Sequence, residues 1–409
     1  MKNYETDLSG VSLNLTDEIV DWSIKLSFDI CDLGVANFYS KDSILYQLEI
    51  ENNVIKNCVF EENILIEIKK LSHAIKFEDC TFKKKLLITG ACKITEVDSG
   101  EIINFTLEGG SVKEFVIRGL KANCKFYINP QGNKKIESLE IETFKIENSQ
   151  FLENFKLHNC KVKELIIDDT DFEKNADFYK SSFLTKTANC FNAINFKKLA
   201  LFGETHFEGK LIFKYVTFEG MCHFNSAVLD NGLDLEYTNI KENINFYGIN
   251  IKDKSNTSQE TYRIIKHNFE KLGNKIEANR YHALELAQKR IELKNDKSSD
   301  WKERWVFNLH HWSSVHSTNW FRVILWILFV GILTIGFVNI RLIIELIFNP
   351  SLFKIEYIFK AWTELCQFIY IGYMEDKLKD HPLTFLFNKI SLGYLYYQFL
   401  MSVRKDTRK

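Results

Sequence analysis

Phenylalanines between residues 206 and 224 recur at steps that neither a helix nor a single strand produces. Phe207, Phe213, Phe218 and Phe224 are separated by six, five and six positions. An amphipathic helix places apolar residues three or four positions apart, and a strand with one buried face places them two apart. The alternation of five and six therefore indicates apolar positions that repeat every eleven residues.

The same period continues in two interleaved series, with a small or apolar residue two positions before nearly every member from residue 200 onward. A repeat this short cannot bury its own apolar face, so it must stack on copies of itself. Each member of a series and the residue two positions before it are then predicted to point inward together and to form one face of a coiled wall. The series are Phe196, Phe207, Phe218, Leu229, Ile240 and Phe191, Phe202, Phe213, Phe224, Leu235, Phe246, with Phe60, Leu71, Phe82 and Ile66, Phe77, Ile88 upstream.

This pattern resembles the pentapeptide-repeat family of right-handed quadrilateral β-helices, over roughly residues 45–250. Two features depart from the family repeat: the triplet of small residue, Asp or Asn, and Leu is rare, and the predicted coil has 22 residues rather than 20. Residues 45–252 are therefore predicted to form a β-solenoid, with a bulge or interruption between about 92 and 145. Residues 1–44 are predicted to form an N-terminal cap or the first coils.

Composition excludes several classes of function. The net charge is −1, and no basic stretch with interleaved aromatic residues is found, so nucleic acid is not an expected partner. The polar, acidic start MKNYETDLSG predicts no secretory signal. Nine cysteines occur without CxxC pairs, which favours reduced core cysteines over a metal site. Because no catalytic motif is recognised, we expect no enzyme activity, no catalytic residues, no metal and no cofactor.

A helical period begins after the polar stretch KDKSNTSQE, and residues 257–318 are predicted to form a helical hairpin and a juxtamembrane linker. Thr257 and Glu260 have the spacing of a capping box, and Gly273-Asn274 separates the two helices. The hairpin could be a spacer or a lever between solenoid and membrane. His310, His311 and His316 lie near four tryptophans and are interpreted as lipid head-group contacts.

Residues 319–409 are predicted to form a membrane domain with two spans, about 322–345 and 382–403. The first contains 18 uncharged residues between Arg322 and Arg341, and tryptophans precede it. Both termini are expected in the cytoplasm, at a bacterial inner (cytoplasmic) membrane. Lys389, in the second span, either reaches the interface or faces a water-filled path. The predicted head-group contacts are Arg322, Arg404, Lys405, Arg408 and Lys409.

The segment IFKAWTELCQFIYIGYMED, at about 358–376, is predicted to be re-entrant. It resembles the pore loop of the two-span potassium-channel-like family. The resemblance implies that Ile371, Gly372 and Tyr373 stand at the Val-Gly-Tyr filter positions, that Tyr370 replaces the filter threonine, and that Gly393 is an inner-helix hinge. It also places Glu375 and Asp376 near the acidic position after the filter.

One departure from the channel motif limits what it implies. Met374 replaces the second filter glycine, whose backbone conformation Met disfavours, so potassium selectivity is not expected. If there is a pore, its acidic residues favour monovalent cations. The alternative for this segment is an interfacial helix whose IGY letters are coincidental.

The expected function is a membrane-anchored oligomeric ion channel, a tetramer by analogy. Its cytoplasmic solenoid would bind an unidentified protein partner as a sensor, with a use in stress response or antiviral (antiphage) defence. The alternative is a membrane-tethered solenoid scaffold without conductance. A third possibility, DNA mimicry by an acidic solenoid face, is disfavoured by the near-zero net charge.

Overall fold

The chain divides into two compact units, Met1–Thr261 and Tyr262–Lys409. The computed structural model describes residues 23–27, 35–40, 43–49, 54–56, 59–60, 63–67, 75–91, 104–130, 138–296, 300–348, 355–372 and 381–407.

The first unit is a β-solenoid of parallel strands stacked in successive turns, as the repeat predicts. Its N-terminal part differs, because β1 pairs in parallel with β6 but in antiparallel with β2, and β2 and β3 form an antiparallel hairpin. The strands are β1 (Ser23–Ser27), β2 (Val35–Ser40), β3 (Ser43–Glu49), β4 (Val54–Lys56), β5 (Val59–Phe60), β6 (Asn63–Glu67), β7 (Ile75–Glu78), β8 (Thr81–Ala91), β9 (Asn104–Glu108), β10 (Ser111–Ala122), β11 (Lys125–Ile128), β12 (Leu139–Phe151), β13 (Phe155–Leu157), β14 (Cys160–Phe172), β15 (Ala176–Asp177), β16 (Ser182–Phe183), β17 (Ala188–Phe196), β18 (Ala200–Leu201), β19 (His206–Phe207), β20 (Lys210–Phe218), β21 (Cys222–His223), β22 (Val228–Leu229), β23 (Leu233–Ile240), β24 (Ile244–Asn245) and β25 (Asn250–Ile251).

The interior is built from the paired positions that the sequence predicts. One coil contributes four inward pairs, all buried: Ala200/Phe202, Thr205/Phe207, Leu211/Phe213 and Val216/Phe218. Phenylalanines of successive coils stack, so that Phe202 lies 5.0 Å from both Phe178 and Phe224 between ring centroids. Each fully buried Phe contributes about 1.5–3 kcal/mol of hydrophobic stabilisation, and a stacked aromatic pair adds about 0.5–1.5 kcal/mol. The pattern fails at the last coil, where Thr238 and Ile240 are only partly buried.

One column of stacked side chains shows how many residues each coil contains. It runs through Phe60, Phe82, Val112, Ile141, Val162, Phe183, Phe207, Leu229 and Ile251, each beside the next. The separations are 22, 30, 29, 21, 21, 24, 22 and 22 residues by subtraction of these positions. The two long coils cover the region where the register was predicted to slip, which confirms an interruption there.

The five-residue steps contain a tight corner. Ala193, Glu204, Tyr215 and Ser226 have φ between 52° and 57°, and each lies inside a five-residue step between two inward side chains. Residues with Cβ atoms seldom adopt this left-handed conformation. Each corner residue therefore carries local strain, which the surrounding ladder of backbone hydrogen bonds holds in place.

Neighbouring coils are joined on the outside by pairs of opposite charge. Lys197 Nζ lies 2.7 Å from Glu173 Oε1, and Lys163 Nζ lies 2.9 Å from Glu142 Oε1. Such exposed pairs contribute little to stability, because water and salt screen them. They give the described wall a mixture of signs rather than an uninterrupted acidic face.

The second unit is helical, although α1 begins before its boundary. The helices are α1 (Gln259–Lys271), α2 (Lys275–Asn295), α3 (Trp301–Ser314), α4 (Trp320–Val338), α5 (Ile340–Phe348), α6 (Ile355–Ile369) and α7 (Pro382–Thr407). The predicted capping box is wrong: Ser258 caps α1 by accepting a hydrogen bond from Thr261 N (3.2 Å), while Thr257 Oγ1 accepts one from Leu233 N (3.1 Å).

Among the described residues, α4 alone is long and apolar enough to cross a membrane, judged by length and composition. The helix predicted at 322–345 ends earlier, at Val338, and α5 follows after Asn339. At the break, the Asn339 side chain donates to Glu364 Oε2 at 2.8 Å. Helix α7 has 26 residues and covers the predicted second span, 382–403. It is long enough to cross a membrane, but its composition is not apolar enough to qualify as a candidate span.

Candidate pore-loop site

Helices α4, α6 and α7 pack around a small apolar core. Its buried residues are Val323, Ile327, Val330, Leu392 and Leu395, from α4 and α7. Helix α6 meets α4 at Gly331, where an added Cβ would lie 2.7 Å from Leu365 Cδ1 and 3.0 Å from Ile369 Cγ1. The absence of a side chain at Gly331 therefore lets these helices approach closely.

The C-terminal end of α6 is held by side chains of α7. The last carbonyls of a helix have no partner within it, so they need donors from elsewhere. Asn388 Nδ2 donates to Phe368 O at 3.4 Å, and Tyr396 OH donates to Ile369 O at 3.1 Å. Lys389 Nζ donates to Tyr370 O at 3.4 Å. Three donors on α7 thus fix the place where the chain leaves α6.

These contacts bring several predicted site residues together. Tyr370, Ile371 and Gly372 follow α6 directly, and Lys389 bonds the first of them. A Cβ on Gly393 would lie 3.9 Å from Ile371 Cδ1, so this glycine faces the same turn. The remaining predicted members, Tyr373, Glu375 and Asp376, lie outside the described residues.

Four polar residues of this site were missed as site residues in the sequence. Glu364 is buried and accepts from Asn339, and Asn388 is fully buried and donates to Thr334 Oγ1 at 2.9 Å. The signal in the sequence is a polar residue inside an apolar helix. A buried polar group left without its partner costs about 1–3 kcal/mol, so these pairs specify how α4, α6 and α7 fit together.

The predicted head-group contacts lie in different surroundings. The side chain of Arg404 is exposed, and Arg322 is partly exposed in the first turn of α4. Lys405 is partly buried and donates to His316 O at 3.3 Å. Arg408 and Lys409 lie outside the described residues.

A buried polar network joins the turn after α3 to α7. His310 Nε2 lies 3.1 Å from Ser317 Oγ, and Ser314 and Ser317 each donate to Gln398 Oε1 at 2.9 Å. His316 completes the network, with its Nδ1 3.2 Å from His310 Nδ1. Since the His316 side chain is fully buried, the interpretation of this residue as a head-group contact is wrong. Burial, together with neighbouring positive charges, lowers the pKa of His316 to about 3.

Large apolar side chains are exposed along α4, α5, α6 and α7. A soluble chain seldom exposes an apolar surface this extensive. In helix α4, the candidate span, only 28% of the most apolar 18-residue stretch is buried within the chain. The exposed residues include Trp320, Phe321, Leu325, Leu328, Phe329, Ile332, Phe337, Ile340, Ile343, Ile344, Ile347, Phe348, Ile355, Ile358, Phe359, Trp362, Leu383, Leu386, Phe387, Ile390, Tyr397 and Leu400.

Metal chemistry and relatives add no further residues to the site. Within the described ranges, no group of three or more His, Cys, Asp and Glu side chains is placed to hold a metal ion. No family model, curated protein or solved structure matches the chain. The fold therefore defines the class, a β-solenoid followed by helices with one candidate membrane span.

Proposed function

We propose that the protein is a membrane-anchored oligomeric ion channel, with a cytoplasmic pentapeptide-repeat-like solenoid that senses or binds a partner. The observation that carries the proposal is the half-helix α6, whose C-terminal carbonyls are held by Asn388, Tyr396 and Lys389 of α7. A short helix fixed at its C-terminal end against a longer helix is the arrangement that a re-entrant pore loop requires.

Membrane insertion is supported by the exposed apolar surface of α4–α7. Lipid would cover these side chains without the cost of contact with water. Helix α7 serves as the second span in this proposal, and its 26 residues extend over about 39 Å, enough to cross the hydrocarbon core. Two spans would leave both termini on the cytoplasmic side.

An oligomer is part of the proposal, because one chain with two spans cannot enclose a pore. A closed ring of identical subunits would complete it, and four subunits are proposed by analogy with two-span channels. Trp362, Phe359 and Ile358 are exposed on α6, opposite the buried Glu364 and Phe368. This face is available to a neighbouring subunit or to lipid.

The ion preference depends on Lys389. In a potassium-type filter the backbone carbonyls coordinate the ion, but here the carbonyl of Tyr370 accepts from the Lys389 ammonium group. A fixed positive charge at this place opposes cation binding. We therefore propose a weakly selective pore, in which Glu375 and Asp376 favour monovalent cations and Lys389 acts against them.

The solenoid would control the pore through an unequal affinity of its partner for the closed and open states. Its rigid wall, stacked from buried phenylalanines, suits a binding surface that keeps its shape. Dissipation of ion gradients across the membrane by such a channel would fit a stress or antiphage response.

The test is single-channel recording from purified protein in planar bilayers. We compare wild type with Gly372→Trp, Glu375→Lys and Lys389→Met, and use Lys360→Met as a matched control, since Lys360 is exposed on α6. We expect discrete conductance steps in wild type and the control, loss of conductance in Gly372→Trp, a shift toward anions in Glu375→Lys, and a shift toward cations in Lys389→Met.

Equal conductance and ion preference in all five proteins would refute the pore-loop assignment. So would conductance steps in Gly372→Trp that match wild type, because a tryptophan at this turn cannot leave a narrow path open.

A scaffold without conductance is the second candidate. It is favoured by an aromatic pair on the solenoid surface, where Tyr215 and Tyr237 are 63% and 60% exposed and their ring centroids lie 5.8 Å apart. Tyr is frequent at protein interfaces because its ring is apolar and its hydroxyl is polar. Partner capture that requires these tyrosines, from a protein that conducts no ions, would support the scaffold.

A further inference from the structure

A cavity with a basic lining lies between the end of α2 and the beginning of α3. It has a volume of about 440 Å³, within the range of small-molecule sites in proteins. Its lining residues are Arg290, Ile291, Lys294, Asn295, Arg304 and Asn308.

The charge of the lining is the unusual feature. Arg290 and Lys294 are one helical turn apart on α2, so their charges lie on the same face and repel each other. Neither forms an ion pair with a described residue, and the described lining contains no carboxylate. Arg304 from α3 also lines the cavity and has a further interaction of its own, so Arg290 and Lys294 carry the argument. A bound anion would relieve the repulsion between these two charges.

The donors in the lining suit a phosphate group. An Arg guanidinium presents paired N–H groups that match two phosphate oxygens, and a Lys ammonium adds a point charge. Asn295 and Asn308 also line the cavity, and their side-chain amides can donate further hydrogen bonds. A carboxylate ligand would offer only two acceptor oxygens to this set of donors.

The position of the cavity connects it to the polar network before α4. Burial is the first cause of the lowered pKa of His311, and the positive charge of Arg290 is the second; Arg290 is also among the charges that lower the pKa of His316, a member of that network. Arg290 therefore lies close enough to His311 for their charges to interact. An anion bound at Arg290 would reach the same histidines electrostatically.

We propose that this cavity binds a phosphate group. The group would belong either to an anionic phospholipid or to a soluble phosphate compound. The first source fits Trp301 and Trp305, which are exposed on α3 at 66% and 64% and one turn apart, as in an interfacial helix. The inference does not depend on conductance, because it concerns α2 and α3 rather than the pore loop.

The test measures binding of two probes to the full chain in detergent micelles. Inorganic phosphate is titrated by calorimetry, and fluorescent phosphatidylglycerol is titrated against fluorescent phosphatidylcholine. The double variant Arg290→Gln/Lys294→Gln is compared with Lys289→Gln/Lys302→Gln, which removes two charges from the same helices outside the cavity lining. Circular dichroism of each protein establishes that the helices remain folded.

We expect at least one phosphate probe to bind wild type and the control, and to bind the cavity variant about tenfold or more weakly, because the variant lacks both charged donors that would bond the phosphate oxygens. A loss confined to phosphatidylglycerol would identify the lipid source, and a loss that includes inorganic phosphate would identify the soluble one. Absence of binding by both probes in wild type, or equal weakening in the two double variants, would overturn the proposal.

Discussion

The turn between α3 and α4 contains three consecutive residues in a rare backbone conformation. Val315, His316 and Ser317 have φ of 50°, 59° and 61°, in the left-handed region that residues with a Cβ atom seldom occupy. Each such residue costs of order 1–3 kcal/mol and persists only where its surroundings enforce it. Here the hydrogen bonds of Ser314 and Ser317 to Gln398 and of Lys405 to the His316 carbonyl supply that enforcement.

The buried His316 predicts that the protein loses stability in acid. Its pKa is about 3 in the folded chain and about 6.5 when unfolded. Between these values the unfolded state binds a proton that the folded state does not. The stability that the neutral, buried His316 contributes is therefore fully present above about pH 6.5. Below this pH the free energy of unfolding falls by at most about 1.4 kcal/mol per pH unit from this residue. His310 and His311 on α3 have lowered pKa values for the same first reason, burial, and act in the same direction.

Denaturant unfolding from pH 7 to pH 4 checks this expectation. His316→Asn should weaken the dependence on pH, because Asn accepts the left-handed conformation and does not titrate. Arg290 on α2 and Lys405 on α7, which also lower the pKa of His316, remain in place. The control is His267→Asn at an exposed position of α1. An unchanged pH dependence in His316→Asn would show that other groups cause the acid loss.

Individual residues divide into those that a sequence can predict and those that it cannot. Phe202 and Phe213 are predicted to be buried because their spacing matches a period, and burial of a periodic apolar residue needs no knowledge of its partners. For Lys389 the sequence leaves two positions open, one at the interface and one facing a water-filled path. Its bond to Tyr370 joins residues 19 positions apart, and the packing of α6 and α7 on α4 brings them together.

At the scale of elements, the close approach of α4 and α6 depends on Gly331. We predict that Gly331→Val destabilises the helical unit by about 1–3 kcal/mol, since its side chain must displace Leu365 and Ile369 of α6. Unfolding in mixed micelles with increasing denaturing detergent measures the effect.

Gly336→Val is the matched control on the same helix, because a Cβ there meets nothing within 4 Å. Both substitutions place the same branched residue in α4, so their difference reports packing rather than helix propensity. Equal stability of the two variants would contradict the role assigned to Gly331.

The boundaries of the elements were predictable where local signals set them. Gly273, with φ of 73°, separates α1 from α2 near the predicted place. The end of α4 was not predictable, because the apolar run continues through Asn339. At the break, the Asn339 side chain bonds Glu364, a contact between residues 25 positions apart that no local pattern indicates. The two long coils of the solenoid were detectable as a lost register, but their lengths were not, because an insertion carries no period.

At the scale of the whole molecule, the exposed apolar surface predicts that the chain behaves as an integral membrane protein. The full chain should stay in the membrane pellet after alkaline carbonate extraction. Leu328→Lys/Ile332→Lys should release it, since each charge near the bilayer centre costs about 2.5–3.5 kcal/mol or more. Immunoblotting of pellet and supernatant measures the partition.

The control for this prediction changes exposed apolar residues of the solenoid. Met221→Lys/Tyr237→Lys alters side chains that are 54% and 60% exposed on the wall, and it should leave the protein in the pellet. Release of wild type by carbonate would contradict membrane insertion, and the proposed channel would then be untenable.

The column of side chains from Phe60 to Ile251 means that distances along the solenoid change in steps of one coil. Its nine positions define eight intervals, each close to the 4.8 Å spacing of neighbouring strands, so the column spans about 38 Å. Duplication or deletion of one 22-residue coil would change this length by one interval while each remaining side chain kept its face. Two equivalent surface positions on different coils are therefore separated by a whole number of coils. Duplication of a coil within the gene can lengthen the distance between them by one interval at a time.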